Sequence, residues 1–146
     1  MYKRQVKNES QEDFSFNGHI EFRNVSYTYP NSGIKAIDDV SFVLNSSERI
    51  GVIGRTGSGK STLIKLIMRQ IDPQEGEILL DGVNIKEINI DQYRDQIGIV
   101  PQDVFLFSDT INNNILFGSL DETINDRDIV EVTKEAHVHH LSLIHI

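Results

Sequence analysis

The chain has 146 residues, 38% hydrophobic and 25% charged, with no low-complexity tract, which suits roughly one domain with enough apolar content for a core. Its 22 Asp and Glu outweigh 14 Lys and Arg, for a net charge of -8, which argues against general binding to a nucleic-acid backbone; any anion site must be built locally. The absence of cysteine rules out a disulfide framework or thiolate metal centre, no apolar run has bilayer-spanning length, and the start has no apolar signal core.

Residues 1–17 are polar and without period, and read as a linker or tail. From His19 the texture changes. Ile20 and Phe22, then Val25, Tyr27 and Tyr29, alternate in two short runs whose phase slips at Arg23–Asn24, as at a β-bulge. Pro30-Asn31-Ser32-Gly33 is a turn, and Val40, Phe42 and Leu44 alternate again, so this third predicts half-buried antiparallel β structure. Residues 49–54 (RIGVIG) predict a strand buried on both faces, and residues 61–71 a helix with Leu63, Leu66, Ile67 and Ile71 inward, stopped by Asp72-Pro73. Residues 77–80 predict a strand turning at Asp81-Gly82, and residues 97–100 a second short buried strand ended by Pro101. Thr110 is suited to cap a helix through Asn114 and Leu116. Asp126 is suited to cap another, with Ile129, Val132 or Thr133, and Ala136 on one face.

Residues 54–61 fit G-x-x-x-x-G-K-[ST] at every fixed position: Gly54, Arg55, Thr56, Gly57, Ser58, Gly59, Lys60, Ser61. Glycines let such a loop turn its N–H groups toward an anion, and the following helix offers unpaired N–H groups and a favourable dipole. Lys60 can reach the β- and γ-phosphates, and the Ser61 hydroxyl can meet Mg²⁺, which prefers oxygen ligands. A chance match to the four fixed positions is expected in roughly one chain in a few hundred of this length, and the strand-before, helix-after context lowers that further.

With these motifs in order, the chain resembles the nucleotide-binding domain of ATP-binding cassette (ABC) transporters of the exporter type, over residues 18–140. GHIEFRNVSYTYP with AIDDVSFVL is similar to that family's antiparallel β-subdomain, GRTGSGKSTLIKLI to its Walker A loop and helix, EGEILLDG to the following hairpin, and IGIVPQDVFLFSDTINNNI to its Q-loop segment. The resemblance implies an α/β P-loop NTPase core with a mostly parallel sheet and an N-terminal antiparallel β-subdomain, present as a partial domain. It implies ATP and Mg²⁺ as ligands, with the nucleotide contacted by Tyr29, the loop residues named above and Thr62. Lys60 and Gln102 take catalytic positions, and Ser61 and Gln102 contact the metal. Tyr29 falls where the family stacks an aromatic on adenine, with Tyr27 its rival and a half-buried strand residue the plainer explanation. Phe105, Leu106 and Phe107 fall where exporters receive the coupling helices of the membrane domain, or serve ordinary packing. Further implied partners are a second nucleotide-binding domain and the transmembrane domain, at the cytoplasmic face of the cell membrane, with no nucleic acid.

The family's signature motif LSGGQ, Walker B segment, catalytic glutamate and switch histidine are not found in the chain. It is therefore expected to lack ATPase activity on its own and to be marginally stable. Residues 141–146 (LSLIHI) are one translation of CTG TCT CTT ATA CAC ATC, and residues 1–5 (MYKRQ) of GTG TAT AAG AGA CAG read from a GTG start. These strings are reverse complements over most of their length and resemble a transposon-library adaptor, so both peptides are expected to lie outside the domain. His137, His139 and His140 have no carboxylate or cysteine partner at ligand spacing and read as an exposed helix end rather than a metal site. The competing readings are an ABC ATPase not fused to a transporter (one acting on ribosomes or DNA, for example), another soluble P-loop enzyme such as a kinase or GTPase, and an interaction module with a vestigial loop. No N-K-x-D guanine motif supports a GTPase.

Overall fold

Alternating apolar residues build the expected antiparallel sheet in the computed structural model, which describes residues 13–119, 124 and 126–138. The terminal peptides read as adaptor-derived lie outside these residues. Two units form, divided after Gly98. In the first, β1 (Ile20–Thr28) pairs with β2 (Lys35–Leu44) on one side and β3 (Glu75–Leu80) on the other, and β4 (Val83–Asn84) closes the order β2-β1-β3-β4. The phase slip at Arg23–Asn24 is a real irregularity: the register with β2 shifts between Phe22 and Val25, and with β3 between Arg23 and Ser26. Asn24 takes φ 48°, a conformation Asn tolerates better than most residues. Its N–H donates to Ser41 Oγ (2.8 Å) and its amide to Asp39 Oδ1 (2.8 Å). The extra residue lets Phe22 and Val25, an odd number of positions apart, both face the core.

That core joins Phe22, Val25, Ile78 and Leu80 of the sheet to Leu66, Ile85 and Tyr93, with the Phe22 and Phe42 rings stacked at 4.5 Å. Leu66 belongs to α1 (Lys60–Ile67) and Tyr93 to α2 (Ile90–Asp95). The α2 helix was not anticipated from the sequence; Asn89 starts it by accepting the N–H groups of Asp91 and Gln92. Residues 13–17, read as the end of a linker, are packed against it. Phe14 and Phe16 lie edge-on to Tyr93 at 6.3 and 5.4 Å, and their N–H groups donate to the side chains of Gln92 and Gln96.

Helix α1 ends earlier than Asp72-Pro73 suggested. Arg69 N–H donates to Leu66 O and Gln70 N–H to Lys65 O, a Schellman closure with Arg69 at φ 46° where glycine is usual. The remaining C-terminal carbonyls are taken by α2: Tyr93 Oη donates to Ile67 O (2.9 Å), Arg94 Nε to Met68 O (3.2 Å) and Arg94 Nη2 to Arg69 O (2.9 Å). Cationic donors there also suit the negative end of the helix dipole. The Arg69 guanidinium, itself buried, reaches Ile88 O and Lys86 O beyond β4. Burial pushes the Tyr93 phenol well above the usual tyrosine range, so it stays a neutral donor. Arg94→Ala, which strips donors from two carbonyls, is expected to lower unfolding free energy by about 2–3 kcal/mol in denaturant titration, with Arg94→Lys recovering only part.

The two segments expected as buried parallel-type strands are not strands among the described residues. Residues 49–54 run without a ladder and Ile50, Val52 and Ile53 are exposed, Ile53 at 99%; Ile99 and Val100 are exposed as well. A strand buried on both faces needs a neighbour on each side to pair its N–H and C=O groups, and the sheet formed here is wholly antiparallel. The expected parallel sheet is thus not assembled from these residues.

In the second unit, α3 (Ile111–Leu116) starts as expected at Thr110, whose hydroxyl accepts the Asn113 N–H at 3.1 Å. The Asn114 side chain then clamps the preceding segment, accepting Phe107 N–H (2.8 Å) and donating to Phe107 O (3.1 Å). Helix α4 (Asp126–Glu135) has Asp126 as its first helical residue rather than a flanking cap. Ile129 and Thr133 are buried, whereas Val132 and Ala136 are exposed, so Thr133 takes the inward place and the stripe stops short of Ala136. The helix closes on His137 at φ 57°, exposed; His139 and His140 lie outside the described residues.

Candidate nucleotide-binding site

Residues 54–61 form a loop that feeds straight into α1. Gly59 precedes the helix at φ 91°, offers no side-chain cap, and no acidic residue occupies the first turn. The N–H groups at this end therefore have no competing carboxylate, the arrangement an anion requires. Lys60 folds back across the loop, its Nζ donating to Gly54 O (2.7 Å) and Arg55 O (2.9 Å). A cation is thus already held over the loop, by two carbonyls that an incoming phosphate oxygen can replace.

The glycines have separate reasons. A Cβ on Gly59 would collide with the Ala36 carbonyl oxygen of β2 and crowd Ile37. A Cβ on Gly54 would fall on Ser58 Oγ, inside the loop, whose turn closes with Ser58 N–H donating to Arg55 O. Gly57 has open space around it and is needed only for its φ of 83°. The cradle is one that side chains would fill. Arg55, Thr56 and Ser61 are exposed around it and Thr62 is buried beneath it. The Ser61 hydroxyl is the sort of hard oxygen donor Mg²⁺ accepts while keeping phosphate and water ligands, so the residues present fit that ion.

Tyr27 and Tyr29 separate clearly. Tyr27 is buried, its phenol pushed up by burial and then by Tyr29, so its ring cannot receive a base. Tyr29 is half-buried just beyond β1, its carbonyl accepting Gly33 N–H (2.8 Å) across the turn. Its ring meets Tyr27 at 89° and 5.2 Å, and its hydroxyl meets Thr62 Oγ1 at 3.1 Å. Tyr29 and the loop are therefore brought to the same helix. Gln102 belongs to the second unit, exposed after Pro101. In that unit Phe105, Leu106 and Phe107 are also exposed, so the packing alternative for them is not realised among the described residues; Phe107 contacts Phe105 and Phe117 at 5.1 and 4.4 Å.

A glycine-cradled loop opening a helix behind an antiparallel β-subdomain defines a phosphate-binding domain, and comparison places it further. The chain belongs to the ABC transporter family, whose model matches residues 37–144. It is 45% identical over 120 residues to a probable multidrug resistance ABC transporter ATP-binding/permease protein, YheI, of Bacillus subtilis, covering 82% of this chain and 20% of the relative. It is 38% identical over 120 residues to an ATP-dependent lipid A-core flippase of Methylobacillus flagellatus, again 82% of this chain and 20% of that protein. A bacterial Atm1-family ABC exporter solved with ATP bound superposes with a TM-score of 0.78 at 33% identity, over 86% of this chain and 22% of that one. The chain spans about a fifth of the length of these curated relatives.

Proposed function

We propose that the chain is the ATP-binding portion of an ABC exporter whose full-length form couples ATP binding and hydrolysis to movement of a substrate across a membrane. The observation that carries this is the Lys60 ammonium held over an uncapped, glycine-cradled helix start. Residues 54–61 grip the triphosphate through backbone N–H groups, Lys60 neutralises the β- and γ-oxygens, and the Tyr29 ring stacks on adenine. Ser61 and Gln102 are the residues that would hold Mg²⁺, which supplies charge neutralisation between phosphates when bound. Gln102 additionally positions the attacking water. The exposed Phe105, Leu106 and Phe107 receive coupling helices of a transmembrane domain, and a second nucleotide-binding domain completes the site at the cytoplasmic face. The relatives named above are described with dissimilar cargoes, drugs in one and lipid A core in the other, consistent with a substrate pocket outside this domain.

Calorimetric titration of the 146-residue chain with Mg-ATP tests the reading. Saturable binding with phosphate release at the uncatalysed rate is the expected result, because no general base or Walker B aspartate is contributed. Failure to bind ATP under conditions where circular dichroism shows the sheet intact would overturn it.

A further inference from the structure

We propose that Thr62 is a positioning residue that latches the Tyr29 ring to α1, making the base platform and the phosphate cradle one body; this rests on the reading of Tyr29 as the base-stacking ring. Tyr29 lies outside β1, in the turn after Thr28, where nothing in the strand ladder fixes its side chain. Its hydroxyl meets Thr62 Oγ1 at 3.1 Å, and Thr62 is only 4% exposed. Lys65, three residues further and so on the same helical face, places its Nζ 5.9 Å from the centre of the Tyr29 ring. Tyr27 buttresses the same ring. The ring is thus held by its hydroxyl, with a cation covering one face, and a base stacks on the other.

The same turn of α1 that carries Lys60 and Ser61 carries Thr62. A ring fixed to that turn stands at a set distance from the phosphates, so less side-chain freedom is lost when a base arrives. Without the latch, stacking remains chemically possible, but the ring must first be ordered. The latch therefore favours nucleotides over bare polyphosphate, and its effect is legible in the ratio of the two affinities.

The experiment titrates the full chain with ATP and with inorganic tripolyphosphate, each with Mg²⁺. The variants are Tyr29→Phe, Thr62→Val, their combination, and Tyr29→Ala. Tripolyphosphate binding reports an intact cradle in each variant. Tyr29→Phe and Thr62→Val are each expected to lower the ratio of ATP to tripolyphosphate affinity about three- to tenfold, the scale of one hydrogen bond. The double variant should lose no more than either single one, because both break the same contact. A ratio unchanged in either single variant, or a double loss equal to the product of the two, overturns the latch. Tyr29→Ala separates this from the reading beneath it. If alanine lowers the ratio while the other variants do not, the latch alone fails; if alanine also leaves it unchanged, Tyr29 is no base platform.

Discussion

Lys60→Ala is expected to weaken ATP binding by about 100-fold while leaving the sheet intact. Lys60 donates to Gly54 O and Arg55 O, and both bonds cross an otherwise exposed loop. Phosphate oxygens replacing those carbonyls form charge-assisted hydrogen bonds worth about 1.5–3 kcal/mol each. Losing the ammonium forfeits about 3 kcal/mol, or roughly two orders of magnitude in Kd. Lys60→Arg should not restore it, since a planar fork cannot take the place of a compact ammonium on a flexible stem. The folding cost should be small because Gly54 and Arg55 are exposed and water can satisfy their carbonyls. Calorimetry gives the affinity and a denaturant titration the stability. An alanine variant binding within about threefold of the parent would remove Lys60 from the site.

The β-subdomain and the loop were legible in the sequence because their signals are local. Alternation placed Phe22, Val25 and Phe42 inward, and the slip in phase at Arg23–Asn24 located the bulge. The P-loop spacing is a local pattern too, and its glycines meet conformational demands the structure makes plain. Helix ends were less legible. Asp72-Pro73 is a stop signal, but α1 had already closed at Arg69, an arginine in the position glycine usually marks, held there by contacts to residues 86 and 88. Helix α2 has only six residues, too few for a periodic stripe, although Asn89 as a cap with Ile90 and Tyr93 buried was a readable hint. Composition failed for residues 49–54 and 97–100. Their apolar content says what they would gain from burial, whereas burial itself depends on neighbouring strands that local sequence cannot supply. Ile53 and Val100, 99% and 94% exposed, are where that gap shows. Exposed apolar segments of strand type are ready partners for other chains, so self-association growing with concentration is consistent with this part of the structure.

The loop glycines give the sharpest structural test, because two share nearly the same backbone conformation and differ in their surroundings. Gly57 and Gly59 have φ of 83° and 91°. Gly57→Ala adds only left-handed strain, about 1–2 kcal/mol, since no atom lies within 4 Å of its Cβ position. Gly59→Ala adds the same strain plus a collision with a backbone oxygen of β2, which cannot rotate away as a side chain could. Either α1 moves off β2 or the strand yields, and Leu66, fully buried in the core, moves with the helix. A total cost above about 3 kcal/mol is expected for Gly59→Ala, together with loss of ATP binding, because the displaced helix is the one carrying Lys60 and Ser61. Gly54→Ala should fall between them: Ser58 Oγ can turn aside, so stability is nearly kept, but the methyl then occupies the loop and affinity drops. Measuring unfolding free energy and ATP affinity for the three variants separates backbone strain from close approach. Equal costs for Gly57→Ala and Gly59→Ala would mean that the approach of the loop to the Ala36 carbonyl is not what holds the phosphate helix in place.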